Sequence, residues 1–342
     1  MARLAMCGWE SGDVNEIGAP ALTSGTQTIQ GSARSGNYCI RCANPSYAGA
    51  GNSRTVSLPS VPSEIYFRLA ARRTAQTGPH AAYLIWLQIL GGGTHQLQFW
   101  NDFSNNLISL KRGGTVIASG GALGSQWVCI EVYVLIHPTN GIVYVWQNGV
   151  LIISFTGNTR NGTASEITGI NFGSIAGAEC YCTMEFDDFA INDTTGSVNN
   201  GRIGQGGIVA LWPNADTADK DFSRSVGSDN YSLVNSFPPD GDTTYVEAGT
   251  IGDLDLYQHQ QIGGAGTVDA VWLTLTGRVV NGAAAPIQPT IKSVATTMVG
   301  SPPIYLVNTY ATQGRLFETD PNGGIPWTTT AVNSALIGMT VV

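Results

Sequence analysis

Charge is scarce in this sequence: 12% of its 342 residues are charged, and the 16 Lys and Arg fall short of the 24 Asp and Glu, for a net charge of −8. Binding to a phosphate backbone depends on Lys and Arg replacing counterions, so no nucleic-acid partner is expected. Long apolar runs are also missing. No stretch reaches the roughly 18 to 20 uninterrupted apolar residues of a membrane-spanning helix, so no membrane insertion is expected. The stretch Met1-Ala2-Arg3-Leu4-Ala5-Met6-Cys7-Gly8-Trp9 has one positive charge and no apolar core, unlike a secretory signal, and synthesis in a cytosol is the expectation. Histidine is sparse and scattered, at 80, 95, 137 and 259, and no Gly-x-Ser-x-Gly elbow occurs, which leaves nucleophilic catalysis without support. Glycine-rich stretches lie between strands and open no helix, so phosphate loops and dinucleotide folds are excluded.

Apolar residues, at 43%, are plentiful enough to build cores, and they alternate with polar residues in short runs separated by turn signals. This is the period of half-buried strands. Tyr83–Leu90 turns through the glycines at 91 to 93 into His95–Trp100. Leu107–Lys111 turns through Gly113-Gly114 into Thr115–Ser119, and Ile142–Gln147 returns through Asn148-Gly149 as Val150–Phe155. Asn-Gly favours the positive φ angles of a tight hairpin turn. A long strand, Gln126–Ile136, ends at His137-Pro138, because proline donates nothing to a ladder.

Two domains are expected from the length. The first spans 1–192 and closes on Glu185-Phe186-Asp187-Asp188-Phe189. A small, polar linker covers 193–207, and a second β domain covers 208–342. In the second domain, strands are expected at 254–259, 268–280, 287–297 and 303–310. A short helix is expected within Trp327–Gly338, with a Thr cap and Gly338 as its stop. The Asp- and Asn-rich stretch after Pro213 is expected to be a loop, and within it Asp216–Asp221 a solvated turn. Basic and acidic residues nearly balance up to Asn192, at 10 against 11, whereas 6 face 13 beyond it, so the two surfaces differ in character.

Six cysteines stand at 7, 39, 42, 129, 180 and 182. Reduced, buried thiols are the leading expectation, since no His lies near either close pair and the spacing does not repeat a zinc pattern. A four-thiolate zinc site and disulfides are the alternatives.

The strand order from Trp127 through Gly141-Ile142-Val143-Tyr144-Val145-Trp146-Gln147-Asn148-Gly149 to the closing Phe186-Asp187-Asp188-Phe189 is similar to the concanavalin A-like, laminin G-like jelly roll over residues 1–192. The implied fold class is all-β: an antiparallel jelly-roll sandwich followed by a second β-sandwich domain with one short helix. Blocks from residue 186 onward resemble structural proteins of tailed bacteriophages. They include Gly196-Ser197-Val198-Asn199-Asn200-Gly201, Leu211-Trp212-Pro213-Asn214-Ala215-Asp216, Pro238-Pro239-Asp240-Gly241-Asp242 and Glu318-Thr319-Asp320-Pro321. That resemblance implies a virion protein assembled in the bacterial host cytoplasm, with other virion proteins as partners. It names no catalytic residue.

Glu185-Phe186-Asp187-Asp188-Phe189 is the sharpest candidate for chemistry. On a strand Glu185 and Asp187 share a face about 7 Å apart, near the separation of a glycosidase carboxylate pair. The strand resembles part of the Glu-x-Asp-x-x-Glu strand of jelly-roll glucanases, but Ala190 stands where the second carboxylate belongs. The leading reading is structural, with Phe186 and Phe189 buried and the acids facing water or capping a loop. The alternative is a calcium site formed by Asp187 and Asp188 with Glu10. Trp100-Asn101-Asp102 combines a stacking ring, an amide and a carboxylate at a strand end, and is the candidate glycan contact.

The expected function is that of a non-enzymatic, surface-exposed, homo-oligomeric virion protein, associated with the tail and binding host-surface glycan, with no cofactor unless calcium binds. Capsid decoration or head fibre is one alternative, and a jelly-roll glycan hydrolase another.

Overall fold

A computed structural model of the chain describes residues 2–17, 23–24, 26–44, 51–77, 83–175, 181–264, 266–280 and 286–342. Strand accounts for 53% and helix for 3%, so the chain is all-β as expected. It divides into two compact units. Residues Met1–Glu10 and Ala19–Val209 form the first, and Ser11–Gly18 and Ala210–Val342 the second.

The described strands of the first unit are β1 (Arg3–Cys7), β2 (Thr23–Ser24), β3 (Gln27–Gln30), β4 (Cys39–Ala43), β5 (Asn52–Ser57), β6 (Glu64–Thr77), β7 (Tyr83–Gly91) and β8 (Thr94–Asp102). They continue with β9 (Leu107–Arg112), β10 (Thr115–Ala122), β11 (Val128–Leu135), β12 (Gly141–Gln147), β13 (Val150–Gly157), β14 (Gly169–Ser174) and β15 (Tyr181–Asn192). They build two antiparallel sheets. One has eight strands in the order β13-β12-β11-β6-β15-β4-β3, with β1 also pairing with β15; the other has seven, in the order β10-β9-β8-β7-β14-β5-β2. Non-sequential neighbours such as β6 beside β15 and β7 beside β14 give the jelly-roll crossovers. All three expected hairpins form, and Asn148 (φ 50°) and Gly149 (φ 81°) both adopt the left-handed conformation that a tight hairpin turn requires.

Alternation sorts the residues between core and surface. On β6, Ile65, Phe67 and Leu69 are fully buried, and their register partners on β11 are Val134, Val132 and Ile130. On β15 the alternation is broken on purpose by a bulge. Asp187 pairs with Ala70 but Ala190 pairs with Arg68, so one extra residue is inserted, and Asp188 takes a left-handed φ of 54°. The bulge changes the phase of the strand, so that Phe186 and Phe189, three residues apart, both reach Phe172, at ring separations of 5.0 and 5.6 Å. Burying each ring contributes roughly 1.5–3 kcal/mol. Trp9 meets the same Phe172 edge-on at 5.9 Å.

Residues 193–207 were expected to be a linker, but they are tied to the first unit. Asp193 donates its N–H to the Ala2 carbonyl at 2.7 Å, and Ile203 is buried. Glu131 accepts the N–H groups of Ile203 and Gly204 and a two-pronged pair from Arg202. A polar composition reads as solvated in sequence, yet here its backbone donors are drawn to a buried carboxylate.

The second unit is built on a five-stranded antiparallel sheet in the order Pro213–Lys220, Leu254–His259, Leu336–Val341, Ile287–Ser293, Thr296–Val299, with smaller two- and three-stranded sheets beside it. Ile291, Phe317, Trp327, Val332 and Ala335 form a core, and Trp327 Nε1 donates to the Phe317 carbonyl at 3.0 Å.

Several expectations need correction here. The stretch after Pro213, expected as a loop, is an edge strand. Asp216, read as part of a solvated turn, accepts from Lys220 and from the N–H groups of Asn230 and Tyr231. Residues 303–310 form no strand; Ile304 bridges Ile287 and the Val307 carbonyl accepts from Val279 N at 2.8 Å, in keeping with Pro302 and Pro303, which lack an N–H to donate. The helix covers Thr329–Ser334, with the Thr328 hydroxyl accepting from Ala331 N at 3.0 Å, and it ends at Ala335. Gly338 lies inside the next strand, where a Cβ would stand 1.8 Å from the Asp255 carbonyl oxygen, so its role is close strand approach.

Candidate functional site

The outer face of the eight-stranded sheet carries the acidic strand. Register places Arg41 of β4 and Arg72 of β6 on either side of Glu185. Glu185 is fully buried, and it accepts from Arg41 at 2.6 Å, from Arg72 at 2.6 Å and from the Ser32 hydroxyl at 3.2 Å. Trp127 caps the group, with the Arg72 guanidinium 4.6 Å from its ring centre. One strand step on, Asp187 accepts the N–H groups of Arg34 and Ser35 at 2.8 and 3.2 Å, and of Asp188 at 2.7 Å. Asp188 accepts from the Arg34 guanidinium at 2.6 Å, from Ile208 N at 2.6 Å and from the Ser35 hydroxyl. The three carboxylates therefore pin the 31–36 loop onto the sheet.

Burial and the adjacent Asp188 charge push the Asp187 carboxyl up to about 8, against the opposing pull of its N–H donors. Burial, with the Glu185 and Asp187 charges, likewise pushes the Cys39 thiol up to about 12, and burial does the same to Cys42. Cys7, Cys39, Cys42, Cys129 and Cys182 are all buried thiols; Cys180, expected as half of a close pair, lies outside the described residues.

The sequence offered these acids to solvent or to capping a loop, to calcium, or to catalysis. Of the structural reading, the solvent-facing half is corrected, since Glu185, Asp187 and Asp188 are all 0% exposed, and the loop-capping half holds, since they bind Ser32, Arg34, Ser35 and Ile208. The calcium grouping is not assembled, because Glu10 spends its oxygens on the N–H groups of Asn37 and Tyr38 at 2.9 to 3.2 Å, while Asp187 and Asp188 hold residues 34, 35 and 208. Among the described residues no group of three or more His, Cys, Asp or Glu is disposed to hold a metal.

The outer face of the seven-stranded sheet is built differently. Successive registers align Thr55, Asn171, Gln88, Gln98, Lys111 and Val116 in one row across β5, β14, β7, β8, β9 and β10. The alternate positions Phe172, Leu87, Phe99 and Leu110 are fully buried beneath them. The row contains three carboxamides and a single charge. Asn171 donates to Gln88 Oε1 at 3.2 Å, while Asn171 Oδ1 is buried and has no hydrogen-bond partner among the described residues. Next to the row stands Trp100, whose Nε1 contacts Gln98 Oε1 at 3.4 Å and whose ring centre lies 5.4 Å from that of Tyr83. The Lys111 ammonium sits 3.5 Å from the Trp100 ring centre and 5.6 Å from that of Tyr83. Partial burial lowers the Lys111 pKa from its ordinary value. Ser109 and Ser119 exchange a hydroxyl contact at 3.1 Å in the row of Trp100.

Trp100-Asn101-Asp102 do not form one surface. Asn101 points to the other face, fully buried, donating to the Asn106 carbonyl at 2.7 Å and accepting from Arg73 at 3.2 Å. Successive strand residues must diverge in this way. Asp102 shares the side of Trp100 but closes a local turn with Ser104, whose hydroxyl and N–H hold its carboxyl below the usual range. Gln88, Gln98, Lys111, Tyr83 and Asn171 were not singled out in sequence. Gln98 was within reach, since it lies two residues before Trp100 on the same strand.

No family model matches this chain, and no curated protein does. Among solved structures, the cellulose-induced protein Cip1 is 20% identical, with 55% of this chain matching 92% of that one at a TM-score of 0.41. The alginate lyase Aly36B is 12% identical over 55% and 96% of the two chains, with a TM-score of 0.37. The carbohydrate-binding module CBM66 from Bacillus subtilis is 11% identical over 50% and 97%, with a TM-score of 0.30.

Proposed function

We propose that this chain is a non-enzymatic, surface-exposed structural protein of a tailed bacteriophage, tail-associated and homo-oligomeric, that contacts host-surface glycan through the Trp100 face. The observation that carries the binding reading is the row Asn171, Gln88, Gln98 and Lys111 running up to the Trp100 and Tyr83 rings. Carboxamides both donate and accept, as sugar hydroxyls do, and an aromatic ring beside them accommodates the C–H face of a pyranose. The non-enzymatic reading is supported by the acidic strand: Glu185, Asp187 and Asp188 are each committed to donors from their own fold, which leaves no carboxyl pair open to a substrate. The virion reading rests on the ordered blocks from residue 186 onward, with assembly in the host cytoplasm and other virion proteins as partners.

Glycan-array binding by the intact protein, lost in Trp100→Ala and weakened in Gln98→Ala, is the expected result. Absence of binding to every glycan on the array overturns the binding reading. Release of reducing sugar by the wild type, abolished in Glu185→Gln, would overturn the non-enzymatic one. An electron cryomicroscopy map of the particle tests the tail position, and density on the head shell would replace it with capsid decoration.

A further inference from the structure

The second unit contains a recess of about 340 Å³ that plays no part in the reading above. It is lined by Asn214, Gln258, His259, Gln261, Asn333 and Ser334, with Ala335 and Leu336 completing the wall. Its volume falls within the roughly 300–1,000 Å³ of small-molecule sites. The sheet order explains the position: Pro213–Lys220 and Leu254–His259 are neighbouring strands, and Leu336–Val341 follows on the other side of Leu254–His259, directly after the short helix.

His259 is 6% exposed, and its Nδ1 lies 2.6 Å from the Gln260 carbonyl oxygen. A carbonyl only accepts, so Nδ1 carries the proton. In the neutral ring Nε2 then presents a lone pair, and it has no hydrogen-bond partner among the described residues. Asn333 is already occupied, bridging the N–H and carbonyl of Ile262 at 2.7 and 3.2 Å. The Ser334 hydroxyl is turned back onto the helix carbonyls of Thr330 and Ala331. The side chains of Asn214, Gln258 and Gln261 are exposed and form no hydrogen bond to the described residues.

The lining excludes several ligand classes. It has no Lys or Arg to hold an anion and no Asp or Glu to hold a hard cation. A single imidazole is too few ligands for zinc. The apolar share, Ala335 and Leu336, is too small for a lipid or an apolar ring system. The remaining class is a neutral ligand whose groups donate and accept together and which has one apolar side. A hydroxyl can donate to His259 Nε2 while accepting from a carboxamide N–H, and Leu336 offers a surface to ring C–H groups.

We infer that this recess is a binding pocket for a neutral saccharide unit, separate from the Trp100 face. The two sites share no residue, so each stands or falls alone.

The test uses the full chain carrying Trp100→Ala, which silences the first site, with D-glucose, D-galactose and D-mannose as probes. Imidazole ¹⁵N spectra report on His259 Nε2 directly. The expected result is a saturable shift of that nitrogen with at least one hexose and, in the Gln258→Ala/Gln261→Ala double variant, a Kd raised at least about tenfold, the equivalent of about 1.4 kcal/mol. Both glutamines are exposed, so the double variant is expected to fold. The inference is overturned if no hexose shifts the resonance, if the double variant leaves Kd unchanged, or if acetamide at the same concentration produces the same shift. Loss of the shift on introducing Trp100→Ala into the wild type would assign the sugar to the first unit and also overturn it.

Discussion

The outer faces of the two sheets of the first unit use their polar residues in opposite ways. On the eight-stranded sheet, Glu185, Asp187 and Asp188 are buried and matched by Arg41, Arg72, Arg34 and three backbone N–H groups outside the strand. On the seven-stranded sheet, the Asn171, Gln88, Gln98 and Lys111 row is largely uncharged, and one of its amide oxygens has no partner among the described residues. A buried charge must be compensated by its own fold, and once compensated it has nothing left for a ligand. A neutral amide tolerates partial satisfaction at lower cost, and Asn171 Oδ1 is buried without a partner among the described residues. The acids attract the eye in sequence, whereas the amides do not.

The largest effect that could break this contrast is expected from Glu185→Gln, which leaves Arg41 and Arg72 facing a neutral amide. Removing one partner of a buried pair costs about 3–5 kcal/mol, read as a lower urea midpoint, with no change in glycan affinity in the fraction that remains folded. An affinity loss without destabilisation would reverse the two assignments. Trp100→Ala is expected to do the opposite, weakening glycan binding by at least about tenfold while shifting stability much less, as removal of an aromatic anchor does.

Asp187→Asn sharpens the contrast through pH. The Asp187 carboxyl is raised in the folded state to about 8, so the folded chain holds a proton that the unfolded chain has already lost above its ordinary carboxylate range. Its stabilising contribution is complete below that range and lost as pH rises through about 8. Urea titrations across this window should show stability falling with pH in the wild type and a flatter profile in Asp187→Asn; equal slopes would remove the proton from Asp187. The smallest effect is expected from Lys111→Met, which keeps the stem near Trp100 and deletes the ammonium 3.5 Å from its ring centre. Stability should change by only about 0.5–1 kcal/mol, and any salt dependence of glycan binding should diminish.

The strands and hairpins of the first unit could be read without coordinates because their signals are local: two-residue alternation and residues that tolerate positive φ. Trp100 was legible as a surface aromatic for the same reason. Its assumed partner Asn101 was not, since adjacency along a strand sends side chains to opposite faces. Gln88, Lys111 and Asn171 come from three other strands, and nothing local announces that register will align them with Gln98. Within 193–207 the polar composition conceals that the Ile203 and Gly204 N–H groups are held by Glu131, more than seventy residues earlier in the chain.

By itself the sequence determined the all-β class, the turns and the residues able to fill the core, because those depend on near neighbours and on overall apolar content. Only the tertiary structure decided that β15 carries a bulge at Asp188, that Glu185 lies between two arginines, and that amides from separate strands form one row. Each of these depends on pairing between distant segments, where a shift of one residue exchanges core for surface.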